Sequence, residues 1–137
     1  PELTMTSTAV VPGSGAVSQD VTFGATVAAG ELVYLDTSAS NVAKLADADD
    51  TQATAQCYGM ALNSGGSGQP GKVITGGYVT VGAVLTVGQL YILSGGAGKM
   101  CPASDLATND WTFVIGLAVT TSPLFLILKG GFVQKAA

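Results

Sequence analysis

Apolar and polar residues alternate with a period of two along much of this chain. The alternation is clearest over residues 20–27, and short apolar runs follow at 32–35, 78–81, 84–87 and 90–93, with glycines close to most of them. Strands alternate in this way because successive side chains point to opposite faces of a sheet. No stretch of helical length carries a 3.6-residue period. The pattern predicts an all-β chain, folded as a single compact β-sandwich or barrel-like domain.

The pattern also repeats. Residues 30–35 (GELVYL) resemble residues 88–93 (GQLYIL), and further matches pair Gly59 with Gly116 and Gly76 with Gly130. The offsets are 58 residues (30 to 88), 57 (59 to 116) and 54 (76 to 130), a drift that loops of different length would produce. We therefore expect two similar halves, at about 21–83 and 84–137. A glycine inside a strand marks a bulge or a close backbone approach, so Gly59 and Gly116 are expected to shape their sheets.

Two segments fall outside this repeat. Residues 1–20 are rich in Thr and Ser, and are broken by Pro12-Gly13-Ser14-Gly15, which predicts an extended N-terminal arm ahead of a β-rich domain over 21–137. Residues 63–71 are predicted to form a flexible loop rich in Gly and Ser. The arm is either a frayed terminus or a segment that orders on a partner, for example by adding a strand to a sheet edge. The residues that we expect to contact a partner are Leu3, Met5, Val10, Val11, Asn63 and Gln69.

The composition argues against several classes of function. The 137 residues are 47% hydrophobic and only 10% charged, with no histidine, and the five basic residues are all lysines. The commonest general acid-base residue is therefore absent, which argues against an enzyme. A net charge of −4 argues against nucleic-acid binding, which needs clustered positive charge. The uncharged stretch 73–98 is long enough to cross a bilayer, but its glycines and its alternation argue against a membrane helix. The start of the chain shows no signal segment, so we expect synthesis in a cytoplasm.

The sequence contains two candidate ligand sites, and each lacks a residue that its binding pattern requires. Residues 65–72 resemble a phosphate-binding loop, but Val73 stands where Ser or Thr is needed, and no helix is predicted to follow. Asp47, Asp49 and Asp50 have the alternation of a calcium loop without its late glutamate, and a solvated acidic loop explains them. We expect no cofactor and no metal. Cys57 and Cys101 are interpreted as two small buried hydrophobic residues, with a disulfide as the alternative.

In their order and spacing, the motifs of this chain resemble those of small bacteriophage capsid decoration (cement) proteins. The matching segments are 27–33, 59–61, 76–79, 88–91, 95–99, 116–118 and 124–128. The resemblance covers about residues 20–133, and the chain departs from the family pattern at the 63–71 loop and between residues 43 and 55.

The resemblance implies a non-enzymatic protein on the outside of a phage head. Such a protein adds to the expanded capsid, often as a homotrimer, and bridges subunits of the major capsid protein. Low charge and a high apolar content fit a surface that neighbours cover. A phage tail, fibre or baseplate β-module that binds a surface partner is the alternative, and a small hydrolase is a third hypothesis.

Overall fold

The computed structural model describes residues 2–3, 5–82 and 84–136, and its regular structure is almost entirely β. Three single 3-10 turns lie at Ser7–Ala9, Thr37–Ala39 and Ala103–Asp105. The strands are β1 (Val11–Pro12), β2 (Val17–Thr22), β3 (Leu32–Asp36), β4 (Val42–Leu45), β5 (Gly59–Ala61), β6 (Pro70–Gly76), β7 (Tyr78–Thr80), β8 (Leu90–Leu93), β9 (Met100–Pro102), β10 (Trp111–Ala118) and β11 (Pro123–Gln134). The prediction of a compact all-β fold is confirmed.

Each half of the sequence builds one antiparallel sheet, and the two sheets have the same strand order. The N-terminal sheet has the order β2-β6-β5-β3-β4, and the C-terminal sheet has the order β1-β7-β11-β10-β8-β9. Without β1, both orders place the first strand of the half beside its fifth, then its fourth, second and third. The halves meet at Gly77, between β6 and β7, which is earlier in the chain than the division expected after residue 83.

The turn before the second strand of each half is built in the same way. The backbone N–H of Gly30 donates to the carbonyl of Ala61 at 2.8 Å, and that of Gly88 donates to Ala118 at 2.8 Å. Both glycines have a left-handed backbone, with φ of 93° and 79°. Residues other than glycine are strained at these φ values, so each of the two turns requires its glycine.

The strand glycines also play matching parts. A Cβ atom on Gly59 would collide with the carbonyl oxygen of Ile74, and one on Gly116 would collide with the carbonyl oxygen of Phe125. In both halves the glycine therefore lets the fourth strand approach the fifth closely, and in β10 a register shift lies between Val114 and Gly116. The predicted role of these two glycines in shaping the sheets is confirmed.

The main core lies between the sheets, and a smaller core covers the other face of the N-terminal sheet. The main core takes Leu32, Met60 and Ile74 from the N-terminal sheet and Tyr91, Ile115 and Leu124 from the C-terminal sheet. The smaller core consists of Phe23, Val27, Val33, Ala43, Ala61 and Val73. We call the two faces that point away from the main core the outer faces of the sheets.

The N-terminal segment differs from the expected arm because much of it packs on the domain. The N–H of Leu3 donates to the carbonyl of Met100 at 3.0 Å, and Val10, only 8% exposed, belongs to the main core. β1 extends the C-terminal sheet through pairing with β7, and β2, which begins at Val17, is an edge strand of the N-terminal sheet. Apolar contacts of Leu3, Met5 and Val10 explain this packing. Thr4, which belongs to the predicted arm, lies outside the described residues.

Two further sequence predictions need correction. The strand predicted over residues 20–27 ends at Thr22, and Phe23 and Val27 then make only isolated bridges because they fold over their own sheet. The strand predicted over 84–87 is absent from the described part of that segment. There Leu85 is buried and its N–H donates to the carbonyl of Thr121 at 2.9 Å. In both segments the buried apolar residues, Phe23, Val27 and Leu85, cover a sheet face instead of belonging to a strand.

Candidate interaction surfaces

Two of the predicted partner residues line a hollow beside the first glycine turn. Leu3 and Met5 face Ala28 and Gly30 across a cavity of about 180 Å³. Both side chains are half-buried against the main core. Their remaining exposed surface is apolar, and it is held in place by the packing beneath it.

The 63–71 loop reaches the same turn from the other side. The Ser64 hydroxyl accepts a hydrogen bond from the N–H of Ala29 at 3.1 Å. Within the loop, Asn63 Oδ1 accepts from the N–H of Lys72 at 2.7 Å, and Gln69 Oε1 accepts from the N–H of Gly66 at 2.7 Å. The loop predicted to be flexible is therefore tied by its own side chains, while Asn63 and Gln69 stay exposed. We call Leu3, Met5, the 28–31 turn and the 63–69 loop the turn patch.

The six predicted partner residues thus divide into three groups. Leu3, Met5, Asn63 and Gln69 belong to the turn patch. Val11 is 52% exposed on the edge strand β1. Val10 is buried and offers little side-chain surface to a partner.

Sequence reasoning missed a second surface, the outer face of the C-terminal sheet. A row of side chains crosses four strands here, since the registers place Leu90 opposite Leu117, Leu117 opposite Phe125 and Phe125 opposite Tyr78. Phe125 is 40% exposed, and its ring centroid lies 5.1 Å from that of Tyr78. The signal in the sequence was the unbroken apolar run 124–128, because a strand covered on both faces does not alternate.

A third surface is an open groove on the outer face of the N-terminal sheet. Half-buried Val21, Leu35 and Tyr58 lie along it, and Asn41 and Pro70 stand at its rim. The groove encloses about 600 Å³, and its lining also includes Asp20, Thr22 and Ser40. Its floor is the smaller core.

An acidic pocket of about 450 Å³ is lined by Glu2, Ser94 and Asp110, among others. Ser94 Oγ donates to Glu2 Oε2 at 2.5 Å. Burial raises the pKa of Asp110, and the neighbouring carboxylates of Asp49 and Asp47 raise it further. Within the described ranges, no group of three or more side chains is placed to hold a metal ion. The pocket therefore contains one carboxyl of raised pKa, and the described residues that line it include no Lys or Arg.

The acidic 47–50 loop is partly ordered by its own contacts. The N–H of Asp49 donates to Asp47 Oδ1 at 2.9 Å, and Asp49 and Asp50 are exposed. This arrangement matches the solvated loop that the sequence predicted, although Asp49 also approaches the acidic pocket closely enough to act on Asp110.

The two cysteines are free and buried, which confirms the interpretation as small hydrophobic residues over the disulfide. Burial raises the pKa of Cys57 to about 12, and burial is also the largest cause of the raised pKa of Cys101. Thiolates, not thiols, are the reactive form of cysteine, so neither side chain is primed for chemistry.

Comparison of the chain with protein-family models and with curated proteins finds no match. In the part of the chain that the structure describes, no helix has the length and apolarity needed to cross a bilayer.

Proposed function

We propose that this protein decorates a phage head. It binds the outer surface of the expanded capsid as a homotrimer and stabilises the shell by bridging subunits of the major capsid protein. Two independent lines support the proposal. One is the order of sequence motifs shared with capsid decoration proteins. The other is a compact β domain with rigid, partly apolar surfaces and few charges.

The observation that carries the proposal is the turn patch. It brings together the two segments that do not repeat, residues 3–5 and the 63–69 loop, on either side of the 28–31 turn. The duplicated strands specify architecture, so the unduplicated segments are where contacts particular to one partner are expected.

The chemistry of the turn patch suits a protein partner. Leu3 and Met5 supply an apolar centre, and Glu31 and Lys99, whose charged atoms lie 3.8 Å apart, stand beside it. Protein interfaces commonly have an apolar centre and a polar rim. Because packing and loop hydrogen bonds already order the patch, binding would cost little conformational entropy.

A binding assay on expanded heads that lack this protein tests the proposal. The double variant Leu3→Ser/Met5→Ser is compared with Val87→Ser, a change at a 61% exposed position in the corresponding turn of the second half. We expect wild type and Val87→Ser to bind equally. The double variant should bind about 30-fold more weakly, which corresponds to about 2 kcal/mol for apolar anchors of an interface.

The outcomes separate the parts of the proposal. Wild-type protein that fails to bind expanded heads contradicts the decoration function itself. Full binding by the double variant retains the function but removes the turn patch from it. Immunogold labelling of tails instead of heads would favour the alternative, a tail, fibre or baseplate module.

A further inference from the structure

The two sheets share a topology, yet they do not pack through equivalent faces. In the N-terminal sheet, the registers align a row on one face, consisting of Leu32, Met60 and Ile74. The same strands and registers in the C-terminal sheet align the row Leu90, Leu117 and Phe125. The first row is fully buried in the main core, whereas the second lies on an outer face.

The partner of the buried row is the opposite face of the C-terminal sheet. That face includes three fully buried residues: Val81, which follows β7, Leu93 in β8, and Ile115, which precedes the strand glycine. The matching residues of the first half are Val21, Leu35 and Tyr58. These three line the open groove and are only half-buried.

We call each half of the chain with its sheet a module, the face that carries the aligned row its row face, and the opposite face its groove face. Each chain therefore contains one complete contact between two modules, and it also carries the two separate surfaces that a second such contact would need. Inside the chain, the row face of the first module meets the groove face of the second. The row face of the second module stays partly exposed, and on the groove face of the first module an open groove remains beside the smaller core. On the row face, Val119, Phe125 and Ile127 are 40%, 40% and 36% exposed. Large exposed apolar surfaces of this kind mark interaction sites.

We propose that the outer row face of one copy, centred on Leu117 and Phe125, docks in the groove of a second copy at Val21, Leu35 and Tyr58. The contact would repeat between chains the packing that already joins the two halves within a chain. It is heterologous, because the two surfaces differ, and such contacts generate closed rings when the rotation allows. This inference deepens the homotrimer element of the proposed function and rests on it only there.

A second copy of this chain is a better occupant of the groove than an unrelated protein, because the chain already contains one contact between surfaces of the same kind. The groove and the row face are degraded copies of surfaces that are already complementary, down to the strand register and the positions of the strand glycines. Leu90, Leu117 and Phe125 preserve the apolar character of Leu32, Met60 and Ile74, and Val21, Leu35 and Tyr58 preserve that of Val81, Leu93 and Ile115.

A complementation experiment on the isolated protein tests the contact. Phe125→Asp damages the row face, and Val21→Asp damages the groove at the edge strand β2. Light scattering should find each variant monomeric, with self-association at least about 100-fold weaker, since an unpaired carboxylate would be buried in the contact. An equimolar mixture should form a heterodimer, because each variant keeps the surface that the other has lost. Native mass spectrometry identifies its composition.

A control variant and a milder pair of variants accompany this test, and three results would overturn the inference. Val87→Asp, placed in a turn outside both surfaces, should keep the wild-type assembly. A milder pair, Leu117→Ser and Tyr58→Ser, gives the same test with less strain on folding, and circular dichroism verifies that each variant is folded. Wild type that stays monomeric at high micromolar concentration, Val21→Asp that assembles alone, or a mixture without heterodimer would overturn the inference. No capsid is present, so these results are independent of whether the protein binds heads.

Discussion

Substitution of the strand glycines by alanine tests the duplicated architecture most sharply. A Cβ at Gly59 or at Gly116 meets a carbonyl oxygen of the neighbouring strand, and neither glycine has a positive φ. The cost is therefore steric. A backbone atom cannot turn aside as a side chain can, so the two strands must separate.

Overpacking in a close-packed interior costs about 1–3 kcal/mol. Replacing glycine also removes freedom from the unfolded chain, which returns about 0.4–1 kcal/mol. A clash with backbone atoms lies at the upper end of the first range, so about 3 kcal/mol less about 1 kcal/mol leaves a loss of about 2 kcal/mol in the free energy of unfolding for Gly59→Ala and for Gly116→Ala. Because the two clashes are alike, the two losses should be similar in size.

Urea unfolding followed by circular dichroism gives these free energies. Gly76→Ala is the matched control, because it also lies in a sheet but its added Cβ would find its nearest neighbour, Val17, 4.0 Å away. That control should be neutral or slightly stabilising. Equal stability of Gly59→Ala, Gly116→Ala and Gly76→Ala would refute the close-approach argument, and a large loss at only one strand glycine would refute the equivalence of the halves.

The remaining predictions concern titrating side chains. Cys57 and Cys101 should not react with a thiol reagent in the native protein at pH 8, and both should react in urea; rapid native labelling would contradict their burial. A hydrogen bond from Lys44 is the main cause that lowers the pKa of Asp36 to about 2. The ionised Asp36 carboxylate should therefore contribute fully to stability above pH 4, and this contribution should disappear as the pH falls towards 2. Asp36→Asn should abolish that part of the pH dependence of stability. Burial and nearby carboxylates raise the pKa of Asp110, so its ionised form opposes folding at neutral pH. Asp110→Asn should raise the melting temperature at pH 7, with a smaller gain near pH 4, and a fall at pH 7 would contradict this assignment.

The sequence revealed the repeat because backbone geometry leaves a trace in residue type. The left-handed turns at Gly30 and Gly88 and the close approaches at Gly59 and Gly116 each demand glycine, so they recur even where side chains differ. The strand order and the face that each sheet turns to the core do not follow from such signals. They depend on long-range pairing, which a period of two residues does not encode.

Two misjudged segments share a physical reason. Val10 and Leu85 lie outside the strands, yet both are buried because they cover sheet faces built by strands distant in sequence. Local pattern shows that such residues are apolar, but not which surface they cover. The row of Leu117 and Phe125 was missed for the converse reason, since an apolar residue suggests burial and these stay partly exposed in a single chain.

If this protein decorates a phage head, as we propose, it must bind the outer surface of the head. Expanded phage heads that lack this protein are mixed with the purified chain and sedimented, and the bound copies are counted against the major capsid protein. We expect saturable binding at near-stoichiometric copy number, with new density on the outer surface by cryo-electron microscopy. Heads that sediment without the protein, or density confined to the tail, would contradict it.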